Sequence, residues 1–143
     1  MRGLLFAVVM TLVSCTRVET EAVPHVKLGM APKDVRDHFE PGGDGTWQTS
    51  VGKSADDTAI EWRAKDAQAS KTKTARFEFH LGMLVAVRAT TNDQAPSGEQ
   101  VTATPTTVSV RRPATGGGTE IEVLARDCPT HKDEAERLAK QVK

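Results

Sequence analysis

The longest apolar run in the chain stands at its start, from Gly3 to Val13 behind a single basic residue, Arg2, and it ends just before Cys15. A membrane-spanning helix needs about 20 apolar residues, so this run is too short to be one, and nothing later in the sequence is comparably apolar. Its order of basic, apolar and small residues is that of an export signal. Everything after it has to fold from hydrophobic residues spread thinly: only 4% of the chain is aromatic, and Tyr is missing altogether. A thin core of that kind predicts modest stability.

The junction Leu12-Val13-Ser14-Cys15 resembles the bacterial lipobox, in which Leu stands three before a Cys and small residues fill the gap. The resemblance implies cleavage between Ser14 and Cys15, with the Cys15 thiol carrying a diacylglycerol and the new amino terminus usually gaining a third chain. Each buried methylene adds about 0.8 kcal/mol and a single chain binds only marginally, so two or three chains make a lasting anchor. Residues 1–14 are then a removed signal peptide, 15–27 a lipidated tether, polar and acidic with Pro24, and 28–143 one small domain. Thr16 follows the cysteine in place of the Asp that retains lipoproteins at the inner membrane of enteric bacteria, which favours the outer membrane, facing the periplasm.

Lys plus Arg and Asp plus Glu each number 19. That balance argues against nucleic acid as a partner, because phosphate binding needs a clustered basic surface. The short basic stretches Lys71–Arg76 and Arg111-Arg112 read as solvated faces beside strands. With Cys15 acylated, Cys128 is a lone thiol. It is read first as a small buried hydrophobe, with an intermolecular disulfide or a reactive nucleophile ahead of a helix start as the alternatives.

Hydrophobic periodicity predicts an α+β domain. Pro32 suits a first helical position, Asp34 the first turn, and Ala31, Val35 and Phe39 fall on one face before Pro41-Gly42-Gly43 stops the helix. Ile60 and Trp62 alternate with Glu61 and Arg63, after a shorter strand through Trp47, Thr49 and Val51. Phe77 and Phe79 pair across a Leu81-Gly82 turn with a returning strand whose one face is Met83, Val85, Val87 and Ala89. Residues 90–105 read as a loop. Two further strands follow, 106–111 and 119–125, with Glu120 and Glu122 set to meet Arg111. Thr130 is expected to cap a last helix with the stripe Ala135, Leu138, Ala139 and Val142. The sum is a one-sided antiparallel sheet of about four to six strands, packed against a short N-terminal helix and a C-terminal helix.

Val26-Lys27-Leu28-Gly29-Met30-Ala31-Pro32-Lys33-Asp34-Val35-Arg36 and Arg76-Phe77-Glu78-Phe79-His80-Leu81-Gly82-Met83-Leu84-Val85-Ala86-Val87 resemble, in that order, two stretches of the small outer-membrane assembly lipoproteins of the SmpA/OmlA, or BamE-like, superfamily. The first is similar to its Gly-Met leading into a helix with a Val-Arg pair, the second to its Phe-containing hairpin. The resemblance covers roughly residues 26–90. It departs at Ala31, where a capping Ser or Thr is usual, and at Phe39-Glu40-Pro41-Gly42, where the family commonly closes the helix with Leu-Gly-x-Pro. The chain from Arg111 onward has no counterpart in it. What it implies is a scaffolding or binding module of the envelope, not an enzyme.

The residues themselves point the same way. His25, His38, His80 and His131 lie on different elements without metal-ligand spacing, and read as surface histidines. Asp44 and Asp56-Asp57 lack an EF-hand pattern, and Gly116-Gly117-Gly118 lacks the Lys-Ser/Thr of a phosphate loop. No metal or cofactor is expected. Trp47, beside Gly45, is the candidate exposed anchor for a partner. The expected function is a lipid-anchored, non-enzymatic module whose partners are the membrane, through Cys15, and an envelope protein or cell-wall component. The alternatives are a small-ligand or lipid carrier and, more remotely, a thiol enzyme using Cys128.

Overall fold

The computed structural model describes residues 23–142, and the expected leader, Ser14 and Cys15 lie outside the described residues. Nine elements follow in order: α1 (Pro32–His38), β1 (Gly45–Val51), β2 (Asp57–Ala64), β3 (Thr72–His80), β4 (Met83–Thr91), β5 (Gln100–Ala103), β6 (Thr107–Pro113), β7 (Thr119–Ala125) and α2 (Lys132–Ala139). All strands join one antiparallel sheet in the order β1-β2-β3-β4-β7-β6-β5. The α+β class is as expected, but the described residues form seven strands where four to six were predicted. The addition that periodicity missed is β5, held on β6 from Gln100↔Arg111 to Ala103↔Val108.

The sheet is also not one-sided. In a strand, neighbouring side chains point to opposite faces, and the neighbours Ala86 and Val87, like Val123 and Leu124, are buried in two different apolar clusters. One face carries Ile60, Trp62, Phe77, Val87, Ile121 and Val123 beneath the chain leading into and through α1, with Val23, Val26, Leu28, Met30, Val35 and Phe39. The other face carries Ala86, Val108, Val110 and Leu124 beneath Ala135 and Leu138 of α2. Val23 is 2% exposed and Val26 fully buried, so these residues of the expected tether pack in the first core.

The first core is centred on rings. Phe39 meets Trp47, Trp62 and Phe77 edge-on, with centroids 5.5, 5.5 and 5.2 Å away. Edge-to-face pairs of this kind add about 0.5–1.5 kcal/mol beyond the area they bury. Phe39 sits just past the last turn of α1, a helix too short to persist alone, so this packing holds it in place. Ala31, expected on the same face, is exposed and offers α1 no side-chain cap.

The β3–β4 hairpin turns through Leu81 (φ 49°) and Gly82 (φ 77°), the pair of positive φ values of a type I′ turn. Just beyond it the register shifts: Glu78 pairs with Ala86 but Phe79 with Leu84. This bulge reverses the alternation, so Leu84 is buried while Met83, expected inside, is 42% exposed. Leu84 then exchanges backbone hydrogen bonds with Gly29 and Met30, both at 2.8 Å, which ties the N-terminal segment to β4 where β7 has not yet begun to pair.

Candidate functional site

Helix α2 packs mainly against β5, β6 and β7, with Ala86 of β4 in the same cluster. Towards β1 the same face is open and polar, with Thr46, Gln48, Arg63 and Thr74 exposed. The cross-strand register lines charged residues up here: Glu61 lies opposite Arg76, Arg76 opposite Arg88, and Arg88 opposite Glu122. Two arginines side by side repel. Glu78 resolves this by accepting from both, from Arg76 Nε at 2.9 Å and Arg88 Nη1 at 2.7 Å.

The row continues across the sheet as charge-assisted hydrogen bonds. Arg76 Nη1 also donates to Glu61 and to Ser50 Oγ. Arg88 Nη2 reaches Glu122 Oε1 at 3.1 Å and Glu134 Oε2 of α2 at 3.4 Å. Arg112 Nη2 donates to Glu120 Oε1 at 2.8 Å and to Glu122 Oε2 at 3.0 Å. The arginine expected to meet these glutamates was Arg111, but Arg111 lies opposite Ile121 and its neighbour Arg112 opposite Glu120. A register one residue off exchanges the faces.

Glu78 is the hub. Burial works against its charge, but the hydrogen bonds from His131 and Arg76 and the charge of Arg88 outweigh it and hold the carboxyl at about 2. His131 is 1% exposed, with Nε2 2.9 Å from Glu78 Oε2 and Nδ1 4.0 Å from Glu134 Oε2. Nδ1 has no hydrogen-bond partner. His80 is half-buried, its Nδ1 2.8 Å from Asp57 Oδ1, and that hydrogen bond, against burial, lowers the Asp57 pKa. Of the four histidines expected at the surface, only His25 and His38 are exposed.

Two consecutive residues thus pin the start of α2 to the sheet. His131 reaches Glu78 on β3, and Thr130 donates through Oγ1 to Asp57 at the head of β2, at 3.2 Å. Thr130 is therefore not the cap of α2; the helix begins at Lys132 without a side-chain cap. Cys128 is 4% exposed and packs in the first core, as expected of a small buried hydrophobe. Trp47, the candidate anchor, is half-buried, edge-on to Phe39 and tilted against Phe77, with the Arg36 guanidinium 5.5 Å over its ring. Among the described residues no three His, Cys, Asp or Glu side chains are grouped to hold a metal ion.

The open face ends at β1, a seven-residue edge strand, Gly-Thr-Trp-Gln-Thr-Ser-Val, without a charge or a proline. Charged residues and prolines are the usual means of blunting an edge. The opposite edge, β5, has four residues and lies between Glu99 and Pro105. Among the described residues no helix is long and apolar enough to cross a membrane.

Comparison with protein-family models, with curated proteins and with solved structures finds no match to this chain.

Proposed function

We propose that the chain is a lipid-anchored bacterial cell-envelope protein, held at the outer membrane facing the periplasm, that acts as a non-enzymatic binding or scaffolding module in outer-membrane assembly or maintenance. The observation that carries this reading is the junction Leu12-Val13-Ser14-Cys15 closing a short apolar leader. A thiol at that point is the acceptor that a diacylglycerol needs. Val23 already packs in the core, and the few residues between it and Cys15 can span no more than about 30 Å even when fully extended. The domain works within reach of the lipid surface.

Two features support binding over catalysis. Glu78, Arg88, His131 and Asp57, residues of catalytic kinds, are engaged with one another and with their neighbours, and the Cys128 thiol is buried. The rings of Phe39, Trp47, Trp62 and Phe77 fill the space between sheet and α1, which favours a surface for a protein or cell-wall partner over the cavity of a ligand carrier.

Mass spectrometry of the mature N-terminal peptide, run together with membrane fractionation, tests this. The expected result is a peptide beginning at an acylated Cys15, recovered from outer membranes. A freely soluble protein with an intact leader or a bare thiol overturns it.

A further inference from the structure

The β1 edge is the longest stretch of unpaired sheet backbone among the described strands. Its outward N–H and C=O groups form a ready template for another strand. We infer that the strand it takes is β1 of a second copy of this chain, paired antiparallel about Gln48, so that one sheet runs through both molecules.

The sequence of the edge fits itself. Pairing about Gln48 sets Trp47 opposite the second copy's Thr49 and Thr46 opposite its Ser50, so no charge of β1 meets another. It sets Val51 opposite Gly45. Val51 is 88% exposed, the most exposed large hydrophobic residue described, and Gly45 has no side chain because a Cβ there would run into the Trp62 ring. The partner's valine therefore lands at a gap floored by an indole, diagonal to Trp47, within reach of aromatic side chains. A chain with equal numbers of basic and acidic residues also raises little electrostatic barrier against its own copy.

Geometry adds a second argument, which rests on the lipid anchor proposed above. The two-fold axis relating antiparallel strands stands perpendicular to the sheet, so both copies keep the same face on the same side. The N-terminal segment from Val23 lies on that shared face, and both anchors would enter one membrane. Anchoring also concentrates the copies in a plane, where a modest contact suffices.

The test uses the full-length chain in bacterial membranes. In the Gln48→Cys variant the two new thiols face each other with Cβ atoms about 4.5–5.5 Å apart. Mild oxidation should give a disulfide-linked dimer, and Thr102→Cys, on the β5 edge, should give about tenfold less. Detergent-solubilised wild-type protein should have the mass of two chains. Gln48→Lys, which sets two ammonium groups together at the axis, should have the mass of one at an unchanged melting temperature. Equal crosslinking at both edges, crosslinking of Gln48→Cys only to a different protein, or a one-chain wild-type mass overturns the pairing. The mass of the N-terminal peptide from the same sample separates the two readings. An acylated single chain refutes the pairing alone, and a dimer with a bare Cys15 refutes the anchor alone.

Discussion

His131, the residue before α2, and Glu78, in the middle of β3, form a close pair beneath the protein surface, Nε2 to Oε2 at 2.9 Å. The Glu78 carboxyl, ordinarily at 4.5, is held at about 2 in the folded chain. A carboxyl with a depressed folded pKa stabilises the fold above its unfolded pKa, and that contribution is lost as pH falls through the folded value. Between pH 4.5 and 2 the protein should lose up to about 3 kcal/mol on this account. Urea midpoints measured across that range should fall steeply for the wild type and be much flatter for Glu78→Gln. Parallel curves would mean that Glu78 is not the group responsible.

Arg88 touches Glu78, Glu122 and Glu134 at once, and the Glu122 side chain is 5% exposed. Replacing Arg88 by Met leaves a buried carboxylate short of a partner, at a cost of about 2–4 kcal/mol. The double variant Arg88→Met/Glu122→Gln should recover part of that loss. Denaturant unfolding of the three proteins measures the coupling, and strict additivity would show that the two residues act independently.

Leu81 holds φ at 49° while 66% exposed, an arrangement that a branched apolar residue resists and Asn accepts. Leu81→Asn should stabilise the hairpin by about 0.5–1 kcal/mol, seen as a melting temperature a few degrees higher. A lower melting temperature would place the turn's stability in a contact of the leucine side chain.

Cys128 is sealed in the first core. A thiol reagent added to the native protein should leave it unmodified over hours and label it fully in denaturant, with the rate following global unfolding. Rapid native labelling would show that the segment ahead of α2 opens locally.

Strands with a strong apolar alternation were legible in the sequence: Ile60 and Trp62, Phe77 and Phe79, Val87 and Ala89 all lie where period two puts them. β5 was not, because Val101 and Ala103 are its only apolar pair, an alternation too short to stand out inside a stretch rich in Thr, Pro, Ser, Gly, Asn and Gln, and the pairing with β6 makes a strand of it. The bulge that buries Leu84 and frees Met83 comes from the pairing with β3, not from either residue. Most of the charged site was hidden for the same reason. His131 and Glu78 are 53 positions apart, and that the imidazole is buried is decided by how α2 meets β3, which no local pattern encodes. Arg112 was misread for Arg111 because two adjacent arginines look alike until the register assigns each a face. The proposed anchor rests on a contiguous motif, Leu12-Val13-Ser14-Cys15, which lies outside the described residues.

The strand order has a consequence for how the molecule holds together. β1 to β4 run as one continuous zigzag and β5 to β7 as another, and among the described residues the strand pairing that joins the two ribbons is β4 with β7. Each ribbon can assemble from near neighbours in the chain, but neither apolar cluster closes until that single seam zips, because Val87 with Val123 and Ala86 with Leu124 supply the two sides. Arg88 and Glu122 are the ionic stitch in the middle of it. Damage at this seam should therefore detach half the molecule from the other half, whereas equal damage at either outer margin should only fray it.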